Sequence, residues 1–312
     1  MNLEERNFLQ SAVWAKTNKL IGHKVETKKE IVMIVKNAKR GRYLEIPGGP
    51  VIDWQDPAAV SEAKRVMIET GKKNHCAFVR IRPQLIDSAK NRQILTDLGA
   101  KKSPMHLAAE HTVIIDLTQN KEDLLANMRR QTRYEVRRSA KLNIKVEKAN
   151  SVAAFEEFHK VQSSTAERQH FVPPDLKTLL SEREAFGKNA QIYIAKTEEG
   201  EPIAYGLILI DGEEAAYYEA ASTSLNRKMP GAYALQWQVM CDLKKQGIKR
   251  YNLWGIAPAN QPHHRYAGVT TFKTGFGGKV VTYVPAHDFV LSRIKYVPDY
   301  LVEIARKKRR HL

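Results

Sequence analysis

Hydrophobic positions along the chain follow two periods, and these periods divide the chain into strands and helices. Short apolar runs indicate buried strands, whereas longer segments with apolar residues every three to four positions indicate amphipathic helices. Residues 121–141 keep the helical period without a break, which predicts one long helix. Upstream of it the pattern predicts helices over residues 8–21, 57–73 and 88–98, and strands over residues 31–36, 43–53, 77–81 and 112–117.

The second part of the chain repeats this mixture of elements. Asp211-Gly212 separates two apolar runs and is typical of a tight hairpin turn. The same criteria predict helices over residues 152–166, 175–186, 231–246 and 266–274, strands over residues 192–196, 203–210, 214–221, 250–254 and 279–284, and a last helix that starts near residue 288.

The similar order of elements in the two parts predicts two α/β domains with mixed sheets. A chain of 312 residues exceeds one typical domain, and a hydrophobic content of 43% is enough for two cores. We expect residues 1–141 to form the first domain and residues 142–287 the second. The last helix, over residues 288–312, is expected to join the first domain.

The composition limits where in the cell the protein is expected and which bound groups it is expected to have. No stretch approaches the roughly 20 apolar residues that span a bilayer, and the first residues do not form a signal peptide, so we expect a cytoplasmic protein. Cys76 and Cys241 lie far apart, and the adjacent histidines His263 and His264 have no third ligand nearby. We therefore expect neither a disulfide nor a metal ion. No cofactor is expected either.

The formal net charge of +17 is the strongest compositional feature. A charge this large favours a polyanionic partner, such as nucleic acid, a phosphorylated substrate or an anionic membrane face. On the predicted long helix, Arg129, Arg133 and Arg137 are four residues apart and would form one ridge, which a phosphate backbone could neutralise. A solvated helix face is the alternative. The basic run at residues 306–310 could contact RNA, an anionic leaflet or nothing ordered.

Four motifs in the last third of the chain carry the candidate chemistry. They are Tyr217-Tyr218-Glu-Ala-Ala-Ser, Arg227-Lys228-Met-Pro-Gly231, Tyr-Asn-Leu-Trp254-Gly-Ile and Thr-Phe272-Lys273-Thr-Gly-Phe-Gly-Gly. Lys273 stands among apolar and glycine neighbours, so a ligand is the partner we expect for its ammonium group. A lysine in such a place can stabilise a developing oxyanion. A structural lysine that caps a carbonyl is the alternative.

These motifs resemble those of the FemABX family of aminoacyl-tRNA-dependent peptidyltransferases. The resemblance implies two acetyltransferase-like (GNAT-like) domains, each a mixed, mostly antiparallel sheet flanked by helices. The chain has no heptad stretch and looks like the short form, without the helical hairpin that larger members insert. The implied activity is transfer of an aminoacyl group from aminoacyl-tRNA to an amine of a peptidoglycan precursor, building an interpeptide bridge.

The resemblance also implies roles for individual residues. Phe272 and Lys273 match the Phe-Lys pair that stabilises the tetrahedral intermediate, and Tyr217 matches a tyrosine of the catalytic cavity. Strict strand alternation would place Tyr217 and Glu219 on one face and Tyr218 on the other. The residues implied for the muropeptide are Lys16, Lys19, Arg168, Tyr218 and Trp254, and those implied for tRNA are Arg129, Arg133, Arg137, Arg227, Lys228 and Gly231.

No general base can be assigned from the sequence. Glu219 occupies the position of a second family tyrosine, and Arg82-Pro83 replaces the family's Asp-Pro, so the carboxylate expected there is absent. A phosphate or the tRNA ribose remains a hypothesis for the proton acceptor.

The partners implied by the resemblance are aminoacyl-tRNA and a lipid-linked or nucleotide-linked muropeptide. Peripheral contact with the inner membrane face is a further option, and the protein is expected to be a monomer. One rival is an acyl-CoA N-acyltransferase that uses the phosphate-loop-like segment Arg227–Gly231. A second rival is a non-catalytic RNA-binding module.

Overall fold

The fold is described from a computed structural model that covers residues 7–38, 40–169, 171–259, 261, 264 and 266–310. His263 therefore lies outside the described residues. The chain folds into two compact units: the first comprises Met1–Thr112, Gly255–Ala267 and Val281–Leu312, and the second Val113–Trp254 and Gly268–Val280. The predicted domain boundary at residue 141 remains a prediction.

The first sheet has six strands in the order β1-β2-β3-β4-β13-β5. Its β3 and β4 run parallel, whereas the other neighbours are antiparallel. The strands are β1 (Lys24–Lys28), β2 (Ile31–Ala38), β3 (Gly41–Gly48), β4 (Cys76–Pro83), β5 (Lys101–Lys102) and β13 (His287–Val290).

Among the described residues, four α-helices belong to the first unit, and the apolar face of α2 packs on its sheet. The helices are α1 (Ala12–Ile21), α2 (Pro57–Lys73), α3 (Ala89–Asp97) and α10 (Arg293–Arg310). Val60, Ala63 and Met67 of α2 lie three to four residues apart and join the core formed by the strands. Asp56 caps α2 by accepting from the Ala58 N–H, and Pro57 occupies the first turn, so this helix has the predicted bounds.

The prediction of a helix starting near residue 288 is wrong at its first residues. His287–Val290 form strand β13, which inserts between β4 and β5, and the helix starts at Arg293. The reason is electrostatic: the guanidinium of Arg80 on β4 donates to both carboxylate oxygens of Asp288, at 2.7 and 2.9 Å. A buried arginine requires this partner, and strand pairing supplies it.

The second sheet has seven strands in the order β12-β6-β11-β10-β9-β8-β7. The pairs β7–β8, β8–β9 and β9–β10 are antiparallel, and β10–β11 is parallel. Gly212 turns the β9–β10 hairpin with a φ of 57°, as predicted. The strands are β6 (His111–Asp116), β7 (Lys145–Ala149), β8 (Ala190–Lys196), β9 (Pro202–Asp211), β10 (Glu214–Ser222), β11 (Arg250–Gly255) and β12 (Lys279–Thr282).

The predicted long helix over residues 121–141 is in fact two helices. The break follows from packing, because the Arg129 N–H donates to the Gly275 carbonyl at 2.8 Å and so leaves the helical ladder. A Cβ at Gly277 would lie 2.8 Å from the Asn127 carbonyl oxygen, so this glycine corner fits directly against the break. The second unit's helices are α4 (Lys121–Ala126), α5 (Arg130–Lys141), α6 (Val152–Gln169), α7 (Leu176–Phe186), α8 (Gly231–Lys245) and α9 (Ala267–Thr274).

The two mixed sheets with flanking helices confirm the predicted fold class. Within the described residues, no helix combines enough length and apolar character to cross a bilayer.

Candidate active site

A separation of two parallel strands in the second unit creates the candidate site. Strands β10 and β11 pair over Glu214–Ala216 and Arg250–Asn252, and both strands continue beyond the end of this ladder. At the same point β10 carries a β-bulge, because Tyr217 is opposite Ile208 and Glu219 is opposite Leu207. One extra residue, Tyr218, is thus inserted into β10.

The bulge overturns the prediction that Tyr217 and Glu219 share a face. Paired residues on neighbouring strands point to the same side, and Ile208 and Leu207 point to opposite sides. Tyr217 packs over Gly206 on the side of α8, where a Cβ at Gly206 would lie 2.8 Å from the tyrosine ring. Glu219 accepts a 2.7 Å hydrogen bond from the Gln162 side-chain amide of α6. The two side chains therefore leave β10 on opposite faces.

Lys273 interacts with residues from both faces of the bulged strand. Its side chain is buried, with 8% exposure, and its Nζ lies 5.8 Å from the centre of the Tyr217 ring. Burial lowers the pKa of Lys273 to about 7, and attraction to Glu219 partly opposes this shift.

Glu219 is the titratable partner of Lys273 in this cluster. Its side chain is half-buried, so one side of the cluster remains open to solvent. Burial raises the pKa of Glu219 to about 7, whereas the hydrogen bond from Gln162 and the charge of Lys273 act in the opposite direction. A buried lysine and a carboxyl group with similar proton affinities therefore interact electrostatically.

A second carboxyl group and two aromatic rings complete the cluster. Tyr218 meets the Trp254 ring edge to face, with centroids 5.7 Å apart. Trp254 has a φ of 62°, a left-handed conformation that disfavours a bulky residue and is found at functional sites. The Glu182 side chain of α7 is buried, and both burial and the charge of Glu219 raise its pKa well above the ordinary value.

This arrangement has the parts that acyl transfer requires. A buried ammonium group can stabilise an oxyanion, because a low-dielectric surrounding strengthens the interaction. A carboxyl group whose pKa lies near neutrality can take a proton from an amine and return it to a leaving oxygen. The cluster brings together four residues that were predicted from different sequence motifs, namely Tyr217, Tyr218, Trp254 and Lys273.

Phe272 has a packing position next to the lysine. Its ring meets Tyr233 of α8 and Phe276 edge to face, each at 5.1 Å between centroids. This aromatic cluster fixes α9, the helix that carries Lys273. The glycines after α9 pack elsewhere: a Cβ at Gly275 would lie 2.4 Å from the Thr132 hydroxyl. They position α9 and do not form a wall around the ammonium group.

The N-terminus of α8, which resembles a phosphate loop in sequence, is occupied by the chain itself. The Gly231 N–H donates to the Met229 carbonyl, and the Ala232 N–H donates to the Asn226 side chain. A Cβ at Gly231 would lie 2.3 Å from Ile203, so the glycine serves packing on β9. Anion binding at a helix N-terminus requires available N–H groups, and these two already have acceptors.

The predicted arginine ridge is only partly formed. Arg129 precedes α5, and its guanidinium donates to the Thr271 carbonyl at 3.0 Å. Arg133 donates to the carbonyls of Ala126 and Met128 at the end of α4. Arg129 therefore binds a carbonyl in the last turn of α9, and Arg133 binds carbonyls left open at the end of α4.

Exposed basic residues remain on α5 and on the neighbouring loop. Arg130, Arg137 and Lys141 are exposed on α5, and Tyr134, which lies between them on the helix surface, is 58% exposed. Arg138 donates to the Lys228 carbonyl at 3.0 Å, which places the exposed Arg227 and Lys228 loop beside this helix. We call Arg130, Tyr134, Arg137, Lys141, Arg227 and Lys228 the basic face.

The remaining predicted residues lie elsewhere. In the first unit, Lys16 and Lys19 of α1 are exposed and line an open depression of about 390 Å³. Asn18, on the same helix, is buried and donates to the Trp14 carbonyl. In the second unit, Arg168 is exposed and donates to the Ser222 carbonyl and to the hydroxyls of its own helix.

Three polar members of the cluster were not predicted from the sequence, although two of them had a detectable signal. Gln162 lies seven residues after Phe155 on the buried face of α6, and Glu182 lies three residues after Leu179 on that of α7. Polar residues at such positions require a buried partner. The role of Glu219 had no equivalent signal, because the bulge that repositions it is not visible in the alternation.

Two solved structures share the fold of this chain. The crystal structure of FemX superimposes with a TM-score of 0.82 and 17% identity, covering 95% of this chain and 94% of that chain. L-PGS from Bacillus licheniformis superimposes with a TM-score of 0.63 and 14% identity, covering 95% and 92%. At these identities the likeness concerns the fold alone.

The sequence model of the FemAB family matches residues 1–201 and 176–303. The chain therefore belongs to the FemAB family. Aminoacyltransferase FemA from Staphylococcus aureus is 33% identical over 107 residues, which are 34% of this chain and 24% of FemA. This chain thus aligns with about a quarter of the length of that relative.

The buried Glu182 predicts a pH dependence of stability. Its folded-state pKa is raised, so the stabilisation is fully present below its ordinary value of 4.5 and is lost as pH rises towards the folded-state pKa. Glu182→Gln removes this titration. The free energy of unfolding of the variant relative to wild type should therefore increase with pH, by up to about 1.4 kcal/mol per pH unit in this window.

Urea unfolding between pH 4 and 8 measures this difference. Glu184→Gln, which replaces an exposed carboxylate on the same helix, is the matched control and should stay parallel to wild type. If Glu182→Gln also stayed parallel to wild type, Glu182 would not be a buried neutral acid.

Proposed function

We propose that this protein transfers an aminoacyl group from aminoacyl-tRNA to an amine on the stem peptide of a peptidoglycan precursor, and so builds an interpeptide bridge. The observation that carries the proposal is Lys273, a buried cation that lies near the Tyr217 ring and interacts electrostatically with Glu219. Membership of the FemAB family and the similarity to an enzyme named aminoacyltransferase support the same reaction.

In the proposed reaction, the acceptor amine attacks the carbonyl carbon of the aminoacyl ester. The Lys273 ammonium stabilises the oxyanion of the tetrahedral intermediate. Glu219 accepts the proton that the amine loses and returns it to the ribose oxygen as the ester C–O bond breaks. An amide and a free tRNA 3′ end result, and Lys273 and Glu219 return to their starting protonation states. The donor ester is already activated, so positioning and oxyanion stabilisation supply most of the catalysis.

Tyr218 and Trp254 are proposed to bind the acceptor at the open side of the cluster, since both are partly exposed and in contact. Phe272 and Tyr217 are proposed to hold Lys273 in place. Lys16 and Lys19 are proposed to bind the diphosphate of a lipid-linked or nucleotide-linked muropeptide, because they line a depression with two exposed ammonium groups. Arg168 is proposed to bind a carboxylate of the same acceptor.

The proposed tRNA contact is the basic face. Exposed arginine and lysine side chains neutralise phosphates, and an exposed aromatic ring offers a stacking surface for an unpaired base. Arg137, Arg227 and Lys228 keep the role predicted from sequence. Arg129 binds the Thr271 carbonyl of α9, Arg133 binds carbonyls at the end of α4, and Gly231 packs on β9, so their proposed contribution is to position this surface.

The acyl-CoA alternative has less support. It requires available N–H groups at the start of α8, and the N–H groups of Gly231 and Ala232 already donate within the chain. The alternative of a non-catalytic RNA-binding module does not explain why a lysine and two carboxyl groups are held together with strongly shifted pKa values.

Lys273→Met should lower the single-turnover rate of transfer by about two to three orders of magnitude, because it removes the oxyanion partner. Charged tRNA and acyl-CoA are offered as donors, with lipid-linked and nucleotide-linked muropeptides as acceptors. RNA affinity should not change. Lys279→Met, which replaces an exposed lysine after α9, is the control. Transfer from acyl-CoA alone, or equal rates for both variants, would contradict the proposal.

Glu219→Gln should lower the transfer rate by about two to four orders of magnitude at neutral pH. Glu219 must be ionised to accept a proton, so the wild-type rate should fall as pH drops through about 7. The variant lacks this dependence. The ratio of the wild-type rate to the variant rate should therefore decrease as the pH is lowered below 7. Ionisation of the acceptor amine affects both proteins equally and cancels in the ratio.

Glu213→Gln, at the exposed β9–β10 turn, is the control. A ratio independent of pH would assign proton transfer to another group.

The double substitution Arg137→Glu/Lys141→Glu should weaken tRNA binding and reduce its salt dependence. Each lost phosphate contact lowers the slope of log K against log salt by about 0.7–0.9. Lys145→Glu/Lys148→Glu on β7 changes the net charge equally and serves as the control. Binding is measured by fluorescence anisotropy at several salt concentrations. Equal loss in both double variants would show that net charge, and not the basic face, binds the RNA.

A further inference from the structure

The last helix, α10, is fixed to the first unit along one side. Asp299 accepts from the Arg40 guanidinium at 2.5 Å, and Glu303 accepts from that of Arg80 at 2.8 Å. Between these ion pairs and the start of the helix, the Tyr296 hydroxyl donates to Asp288 at 3.0 Å. These contacts set the rotation of the helix about its own axis. They therefore decide which residues face outward.

The outward side of α10 is an apolar stripe. Ile294 is 88% exposed, Val297 51% and Leu301 60%. Pro298 and Ala305 are also exposed, and the five residues follow the spacing i, i+3, i+4, i+7 and i+11, which places them on one side of a helix. We call these five residues the apolar stripe. Single exposed aliphatic residues are ordinary on a protein surface, whereas a contiguous apolar patch marks an interaction surface.

Basic residues border the apolar stripe. The helix contains two acidic residues, Asp299 and Glu303, and both are directed inward by their ion pairs. Exposed cations stand at both of its ends: Arg293, Lys295, Arg306, Lys307, Lys308 and Arg309. An apolar strip with cationic margins is the composition of helices that lie in the interface of an anionic bilayer.

We infer that α10 docks on the surface of an anionic lipid bilayer, with the apolar stripe inserted among the upper acyl carbons and the basic margins on lipid phosphates. The ion pairs of Arg40 and Arg80 keep the helix attached to the first unit while it lies on the bilayer. This mode requires no spanning segment. It holds the first unit, with its Lys16 and Lys19 depression, at the membrane surface.

The positive charge of α10 favours an anionic bilayer over other partners for the apolar stripe. A second copy of the chain would bring an identical set of cationic margins against the first, and like charges oppose such a pairing. RNA would neutralise the margins but would leave the apolar stripe exposed to water. An anionic bilayer satisfies both features, since each basic residue near its surface raises affinity several-fold and the stripe leaves water.

The test measures binding to vesicles and needs neither donor nor acceptor, so its result is independent of the proposed transfer reaction. The full-length protein is sedimented with phosphatidylcholine vesicles that either contain or lack phosphatidylglycerol. Wild type should bind the anionic vesicles and bind those of pure phosphatidylcholine at least about tenfold more weakly. Ile294→Glu/Leu301→Glu should lower the affinity for anionic vesicles by about tenfold or more.

Val172→Glu/Val280→Glu is the matched control. It replaces two aliphatic residues that are 85% and 54% exposed elsewhere on the chain and adds the same negative charge. The control should bind like wild type, apart from the small effect of net charge. Equal binding by the α10 variant and the control would overturn the inference. So would a wild-type dimer in lipid-free solution that Ile294→Glu/Leu301→Glu converts to monomers, or a loss of RNA affinity in that variant as large as its loss of vesicle affinity.

Discussion

The separation of β10 from β11 is the constraint on which the candidate site depends. Parallel pairing between these strands ends at Ala216, and the bulge at Tyr218 bends β10 where its partner is lost. Without the bulge, Glu219 would lie on the side of α8 with Tyr217 and away from Gln162. With it, Lys273 interacts with a ring on one face of the strand and a carboxyl group on the other.

The chemistry of the cluster follows from burial of unlike charges. Burial lowers the pKa of Lys273 and raises those of Glu219 and Glu182. Attraction between the lysine and Glu219 limits the shifts of these two groups. Lys273 and Glu219 therefore have similar proton affinities near neutral pH. A cluster of this kind can provide a cation and accept a proton in the same step. The remaining surfaces, namely the basic face and α10, are proposed to bring polyanionic partners to the two units.

The sequence was informative where one local rule decided the structure. Asp56 and Pro57 start α2, and Asp211-Gly212 turns the β9–β10 hairpin, so these elements were predicted closely. Prediction failed where a contact between residues far apart in the sequence decided the local structure. The helix break at Arg129 depends on the Gly275 carbonyl, and strand β13 depends on Arg80 of β4. For the candidate site, sequence motifs predicted Lys273 and Tyr217, but the position of Glu219 depends on the bulge. The sequence showed only that Glu219 stands where the resemblance implies a tyrosine, whereas in the fold its charge interacts with that of the lysine.

A crystal structure with a short RNA that carries an aminoacyl group through a stable amide tests the central claim most directly. We expect the carbonyl oxygen of the aminoacyl group to lie about 2.7–3.1 Å from Lys273 Nζ, with the Glu219 carboxyl group on the side open to the acceptor. A carbonyl bound at the start of α8, out of hydrogen-bonding reach of Lys273, would contradict it.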